Sequence, residues 1–399
     1  MPRLTVFVVA ALGTLAVASP GALAQTPRTL AVPGLEGSAV AIAGAARLAD
    51  GGAIVVGTLG EGGRRRVIAL RLRHDGTVDP GYGRGGLARV VESGGSRAVG
   101  VAADPGSGRA WVATGEGRRG SVRSLDGRGR RARRFGRGGI RRLGAAPVAI
   151  ATGRGRVVVA YGDGCRGCRL MSMDARTGNV TARAQFGAAD GLQPPGCAPA
   201  SVTSLAVLSD GGVAIGAARR FGACPVRLVV RTAALAAAGG LRGAGALALP
   251  GVTQRTVVAG AAGSALDVCL AMQRTDGVAL ARSGLSDLRG AATGDAPPAA
   301  LPETVVPGIA GSLVAVVPTG ATGCAALVAG ERATLVQAGR DGGAAKVTRL
   351  PPGVRAAALF RCRRHVLVLG VRRRGGRQEG VVSVVDLRGQ RAQARAASA

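Results

Sequence analysis

The stretch Leu48-Ala49-Asp50-Gly51-Gly52-Ala53-Ile54-Val55-Val56-Gly57 decides how the whole chain is read. An Asp-Gly-Gly turn leads directly into an apolar, β-branched run. Asp and Gly tolerate the positive φ of a tight hairpin, so the pattern is turn, then strand. Matching apolar runs recur at Arg109–Ala113, Arg156–Ala160, Gly212–Gly216, Leu266–Leu270, Ser312–Val316 and His365–Leu369. The period is about 50 residues, which is the mark of a repeat architecture.

An earlier apolar segment precedes each run: Val40–Ile42, Val99–Val101, Val148–Ile150, Leu205–Val207, Val257-Val258, Val305-Val306 and Ala356–Leu359. A third follows, as in Val67–Leu70, Leu170–Met173, Leu228–Val230 and Val381–Val385. Further turns close the units, among them Asp75-Gly76, Asp126-Gly127 and Asp341-Gly342-Gly343. The seven units span approximately 39–92, 97–144, 146–190, 201–250, 253–295, 301–352 and 354–399. No unit of this size shields its own hydrophobic surface, so the units must stack. Several runs are continuously apolar rather than alternating, which implies sheets covered on both faces.

The fold class is therefore all-β: a seven-bladed β-propeller of four-stranded blades, with six or eight blades also compatible. The sixth unit is ambiguous, because Gly323–Val328 serves as its second strand equally well. The last unit lacks a fourth strand, since Arg391–Ala399 is small and polar. Thr29-Leu30-Ala31-Val32 is a spare β-segment, predicted to pair into the final blade and close the ring. Closure of that kind removes two exposed sheet edges.

Residues 1–24 read as a signal peptide: Arg3, an apolar run from Leu4 to Ala18, then Ser19-Pro20-Gly21 and Ala22-Leu23-Ala24. Cleavage is expected after Ala24, leaving 25–399 as a single secreted or extracytoplasmic propeller domain. No later segment is long and apolar enough for a membrane span. Leu301-Pro302-Glu303-Thr304 matches the opening of a cell-wall sorting signal, but Val305 stands where Gly is needed.

Hydrophobic residues make up 47% of the chain and aromatics 2%, so the core must be built from Val, Ala, Leu and Ile. With 68 glycines and no collagen period, tight turns are numerous. The net charge is +31, and Lys346 is the only lysine among 53 basic residues. Charge of this size bears on solubility and encounter with anions rather than on fold.

The end of the first unit, His74-Asp75-Gly76-Thr77-Val78-Asp79-Pro80-Gly81-Tyr82-Gly83-Arg84-Gly85-Gly86-Leu87, follows the same logic. Taken with Leu48–Gly57, it resembles the delta-sixty repeat of bacterial exported proteins. Phe135-Gly136-Arg137-Gly138-Gly139 repeats its aromatic-glycine tail, and Phe186-Gly187 echoes it. The resemblance implies a propeller-like exported protein and no defined chemistry. Physically, the aromatic ring is expected to plug between blades while the glycines let the fourth strand turn tightly.

Signals for catalysis, metal or cofactor are absent from the sequence. The two histidines, His74 and His365, fall in the first and last units, read as far apart in the ring. Carboxylates sit mostly in turns, where local backbone hydrogen bonds account for them. Gly81–Gly86 opens no helix, so a dinucleotide reading fails on context. A single tryptophan, Trp111, leaves no set of indoles on which a quinone cofactor would stack.

Seven cysteines in an exported chain point to disulfides. Cys165 and Cys168 are expected to form a local bond, and Cys197 is expected to pair with Cys224. Cys269, Cys324 and Cys362 lie near the second strands of the last three units; two are expected to join and one to stay unbonded.

The densest charge lies between Arg118 and Arg142, where Arg128, Arg130, Arg131, Arg133, Arg134 and Arg137 face only Asp126. A second cluster is Arg372-Arg373-Arg374. Guanidinium forks suit phosphate or carboxylate. Without interleaved aromatics, nucleic acid is not indicated. The functional expectation is a non-enzymatic binding or scaffold module at the cell exterior, whose partner is an extracellular protein or an anionic polymer. Two alternatives stand beside it: a polyanion-binding rim, and a lyase or hydrolase with its site in the central channel.

Overall fold

The computed structural model describes residues 27–386 apart from 38, 93, 163–168, 186–200, 208–210, 219–226, 232–243, 249–251, 261–266, 275, 285–302, 320–322, 339–344 and 363–364. The signal peptide, Cys165, Cys168, Cys197, Cys224 and Phe186-Gly187 all lie outside the described residues.

The first strand, β1 (Arg28–Gly37), is set aside by the chain for later use. Blade 1 is β2 (Val40–Arg47), β3 (Ala53–Leu59), β4 (Arg66–Leu72) and β5 (Leu87–Val91). Blade 2 is β6 (Arg97–Ala103), β7 (Ala110–Glu116), β8 (Arg119–Leu125) and β9 (Ile140–Leu143). Blade 3 is β10 (Pro147–Gly153), β11 (Arg156–Tyr161), β12 (Arg169–Asp174) and β13 (Val180–Gln185). Blade 4 is β14 (Ser201–Val207), β15 (Val213–Ala218), β16 (Arg227–Arg231) and β17 (Ala244–Ala248). Blade 5 is β18 (Val252–Gly260), β19 (Asp267–Arg274), β20 (Gly277–Gly284) and β21 (Glu303–Pro307). Blade 6 is β22 (Ser312–Pro318), β23 (Cys324–Ala329), β24 (Thr334–Ala338) and β25 (Lys346–Arg349). Blade 7 is β26 (Val354–Cys362), β27 (His365–Arg374) and β28 (Arg377–Asp386), completed by β1 as its outer strand.

All pairings within the blades are antiparallel, and among the described residues a single bridge, Ala218 to Arg255, joins blades 4 and 5. The first strand of each blade packs on the first strand of the next, from β2 round to β26, and β26 packs back on β2. The chain is a closed ring of seven four-stranded blades, a β-propeller.

Val305-Val306 belongs to β21, the outer strand of blade 5, not to the start of the sixth unit. Ser312–Val316 is accordingly the innermost strand of blade 6, and Cys324–Val328 is its second strand. Both segments are short apolar runs, so apolarity alone did not assign them an order in the blade.

The continuous apolar runs have a direct explanation. In β3, Ala53 and Val55 pack toward blade 7 while Ile54 and Val56 pack toward blade 2. In β11, Val157 and Val159 face blade 2 while Val158 and Ala160 face blade 4. In β27, Val366 and Val368 face blade 6 while Leu367 and Leu369 face blade 1. The core is thus a set of layers between blades, and each middle strand contributes to two of them.

One layer carries a covalent tie. Cys269 on β19 and Cys324 on β23 form a disulfide between the second strands of blades 5 and 6. Cys362 is buried and outside any disulfide; its thiol donates to the carbonyl of His74 at 2.9 Å. It sits at the end of the innermost strand of blade 7. The Cys269–Cys324 bond closes a 55-residue separation, and removing such a bond costs about 2–4 kcal/mol. The variant C269S/C324S is expected to unfold at clearly lower denaturant than the parent; coincident unfolding curves would show that the bond adds nothing.

Candidate anion-binding rim

Within each blade the first and third strands run in the same direction. The connections from strand 1 to strand 2 and from strand 3 to strand 4 therefore emerge on one face of the ring. The arginine run occupies such a connection, 126–139 between β8 and β9, and its counterpart in blade 1 is 73–86 between β4 and β5.

The two connections have one backbone plan. Arg73 N donates to Thr77 O, Asp79 N to Arg71 O, Tyr82 N to Asp79 O and Arg84 N to Leu87 O. In blade 2 the same bonds run from Asp126 N to Arg130 O, Ala132 N to Ser124 O, Phe135 N to Ala132 O and Arg137 N to Ile140 O. Gly83 and Gly136, at φ of 63° and 55°, make the turn that follows each aromatic. A side chain at Gly83 would strike the Leu87 carbonyl.

This plan latches each blade to the next. Gly83 N donates to Arg128 O of blade 2 at 2.8 Å, and Gly136 N donates to Thr177 O of blade 3 at 2.7 Å. Tyr82 lies against Gly129 and Phe135 against Gly178, both rings almost wholly buried. The expected aromatic plug between blades is what the structure contains. The Tyr82 hydroxyl has no hydrogen-bond partner; burial, then the Asp126 carboxylate, pushes the phenol well above its usual range.

With the backbone so held, the side chains are left outside. Arg128, Arg130, Arg131, Arg133, Arg134 and Arg137 are all exposed. Among the described residues none of the six forms an ion pair. The one acid nearby in sequence, Asp126, is occupied: its Oδ1 accepts from Arg128 N at 2.9 Å and Arg130 N at 2.8 Å. Asp75 and Asp174 hold equivalent turns in blades 1 and 3, and hydrogen bonds from the Thr77 and Thr177 hydroxyls lead the causes that keep both carboxyls below their usual range. Backbone hydrogen bonds hold Asp75, Asp126 and Asp174 in their turns, and among the described residues none of the three pairs with an arginine of the run.

A groove of ≈ 410 Å³ runs between the outer edge of blade 1 and this connection. Arg84, Arg89 and Glu92 of blade 1 line it together with Arg130 of blade 2. Arg84 and Arg89 were not singled out from sequence, because neither belongs to a contiguous charge run. Behind it, Arg123 of β8 reaches back to blade 1 and donates to Val90 O at 3.3 Å. Burial, and then the charge of Arg131, lowers the pKa of that guanidinium.

Elsewhere the sequence-derived candidates are dispersed. Arg372-Arg373-Arg374 lies on β27, where Arg372 pairs with Glu379. His74 and His365 are not far apart in the ring: closure makes blades 7 and 1 neighbours, and Cys362, the cross-strand partner of His365, bonds to His74. Among the described residues no cluster of His, Cys, Asp and Glu with metal-binding geometry occurs. The seven innermost strands carry no Asp, Glu or His at all; their ionisable residues are Arg47, Arg97, Arg255, Arg355, Arg361 and Cys362. Trp111 is buried between blades 2 and 3. No helix among the described residues is long and apolar enough to cross a membrane.

No family model and no curated protein matches this sequence. Solved structures do match in shape. A chain of the mitotic checkpoint complex aligns with a TM-score of 0.54 at 12% identity, over 94% of this chain and 98% of that one. The β-propeller domain of Cps50 (Swd1) from Myceliophteria thermophila aligns at 0.52 and 12%, over 90% and 98%. Sqt1 from Chaetomium thermophilum, solved bound to the N-terminus of ribosomal protein L10, aligns at 0.52 and 11%, over 87% and 96%. At such identities the likeness establishes the propeller fold alone.

Proposed function

We propose that the chain is an exported, non-enzymatic propeller of the delta-sixty type that acts as a binding module at the cell exterior, and that its arginine-rich rim contacts an anionic polymer. The observation that carries this reading is the set of six exposed arginines on one inter-strand connection, none of them ion-paired among the described residues. An arginine surface with internal carboxylate partners would be a solvated edge; here Asp126, the one acid within the run, is tied into the turn. The disulfide between blades 5 and 6 supports an oxidising compartment. The protein-binding neighbour Sqt1 supports a binding role in general, because propellers offer rims and faces as docking surfaces.

The test is retention of the purified full chain on immobilised heparin, used as a generic polyanion, or on anionic wall polymer. Counterion release makes such binding fall steeply between about 50 and 200 mM salt. Replacing the six arginines by Ser is expected to abolish retention while leaving the melting temperature near the parent value. Retention that ignores salt, or that survives the six substitutions, would overturn the proposal.

A further inference from the structure

We propose that the groove between blades 1 and 2 is a discrete binding site for a short run of phosphate groups in a linear, phosphate-bearing polymer. The proposal rests on the polyanion reading above and narrows it to one place. Three arginines from two blades meet there, Arg84 and Arg89 from one side and Arg130 from the other. Among the described residues none of the three forms an ion pair. The volume of ≈ 410 Å³ lies at the small end of ligand sites, enough for a few phosphate units and not for a folded partner.

The two walls are held at a fixed distance. Gly83 N bonds to Arg128 O, Arg123 bonds to Val90 O, and the Tyr82 ring lies on Gly129. A ligand spanning the groove therefore meets two walls already in position, and the ordering cost of binding is confined to the exposed arginine side chains.

Geometry favours phosphate over carboxylate. A carboxylate offers two oxygens in one plane and is satisfied by a single guanidinium fork. A tetrahedral phosphate presents oxygens in several directions and accepts forks from both walls at once. Glu92 sets the charge balance: three arginines less one glutamate leaves two positive charges, matched by about two phosphodiester groups. No aromatic residue lines the groove, so there is no platform for a base, and nucleic acid is the less suitable phosphate polymer.

Calorimetric titration of the full chain with inorganic tripolyphosphate is the direct test. One molecule is expected to bind per chain. R84Q/R89Q is expected to weaken this by at least about tenfold, since each charge-assisted hydrogen bond is worth that much. E92Q removes a repulsive carboxylate and is expected to tighten binding, an effect no structural role of Glu92 would produce. R133Q/R134Q, outside the groove, is expected to reduce retention of long-chain polyphosphate while leaving tripolyphosphate binding nearly unchanged. All the substituted residues are exposed, and unchanged melting curves confirm that each variant folds.

Binding of long chains without binding of tripolyphosphate would overturn the groove and leave the rim intact. Failure of both would overturn rim and groove together. Equal losses from R84Q/R89Q and R133Q/R134Q would mean a diffuse patch and sink the discrete site. Triglutamate binding as tightly as tripolyphosphate would overturn the assignment to phosphate.

Discussion

Deletion of Arg28–Gly37 is expected to abolish the single cooperative melting transition of the protein, or to lower its midpoint by about 6 °C or more, on the order of 5 kcal/mol. This strand is the outer member of blade 7, pairing Thr29 with Ser383, Leu30 with Val382 and Ala31 with Val381. Thr29 and the buried Ser383 also share a side-chain hydrogen bond at 2.9 Å. Past a register shift between Ala31 and Glu36, which accommodates Pro33, the strand resumes pairing with Glu379 and Gln378. Val32 and Leu35 are each 1% exposed and enter the layer between blades 7 and 1. Burying two such side chains contributes about 3–6 kcal/mol, against a typical total stability of about 5–15 kcal/mol. The loss is also not local, because it opens the layer in which the first and last described strands meet. Adding a synthetic peptide of residues 27–37 to the truncated protein is expected to restore the transition. A truncated protein that melts as the parent does would show that the ring closes without this strand.

That strand was legible in sequence because the last unit lacked a partner and an apolar segment, Thr29–Val32, bounded by Pro33, stood unassigned ahead of the first unit. The turns were legible for a similarly local reason: Asp50, Asp75 and Asp126 cap their own backbone, as the Asp-Gly pattern requires. The aromatic plug was readable from Tyr82-Gly83 and Phe135-Gly136, since a large ring followed by glycine has few other uses in a chain so poor in aromatics. What escaped was everything that depends on one blade meeting the next. Val305-Val306 and Ser312–Val316 are equally apolar, and only pairing with β20 assigns the first to blade 5. His74 and His365 are separated by most of the chain yet stand in adjacent blades, because a ring has no ends. Arg84 and Arg89 are unremarkable singly in sequence. They become part of a site only when the latch from Gly83 to Arg128 brings Arg130 alongside.

The same latch supplies the second large effect. F135A is expected to destabilise the protein by about 3–5 kcal/mol, the usual loss for a buried phenylalanine, and to lower the melting temperature on the order of 5 °C in a chain of this size. Phe135 is fully buried between blades 2 and 3 with Trp111, Val159 and Met173. Its ring lies so close to Gly178 that a methyl group there would approach the ring at 3.1 Å and Gly136 N at 2.7 Å. Collapse to fill the void is restricted on that side, because the contact is with backbone held by the Gly136 N to Thr177 O bond. Truncation therefore leaves a cavity and loosens the hydrogen bond that joins two blades. F135Y separates the two contributions. Tyr82 shows that the equivalent position holds a tyrosine whose hydroxyl lacks a partner, so this variant keeps the packing at a cost of about 1–3 kcal/mol for the buried hydroxyl. If the ring is the plug, F135Y melts well above F135A, and hydrogen exchange at Gly136 stays slow in F135Y while it accelerates in F135A. Equal melting of F135A and the parent would mean that blades 2 and 3 are held by their strands alone.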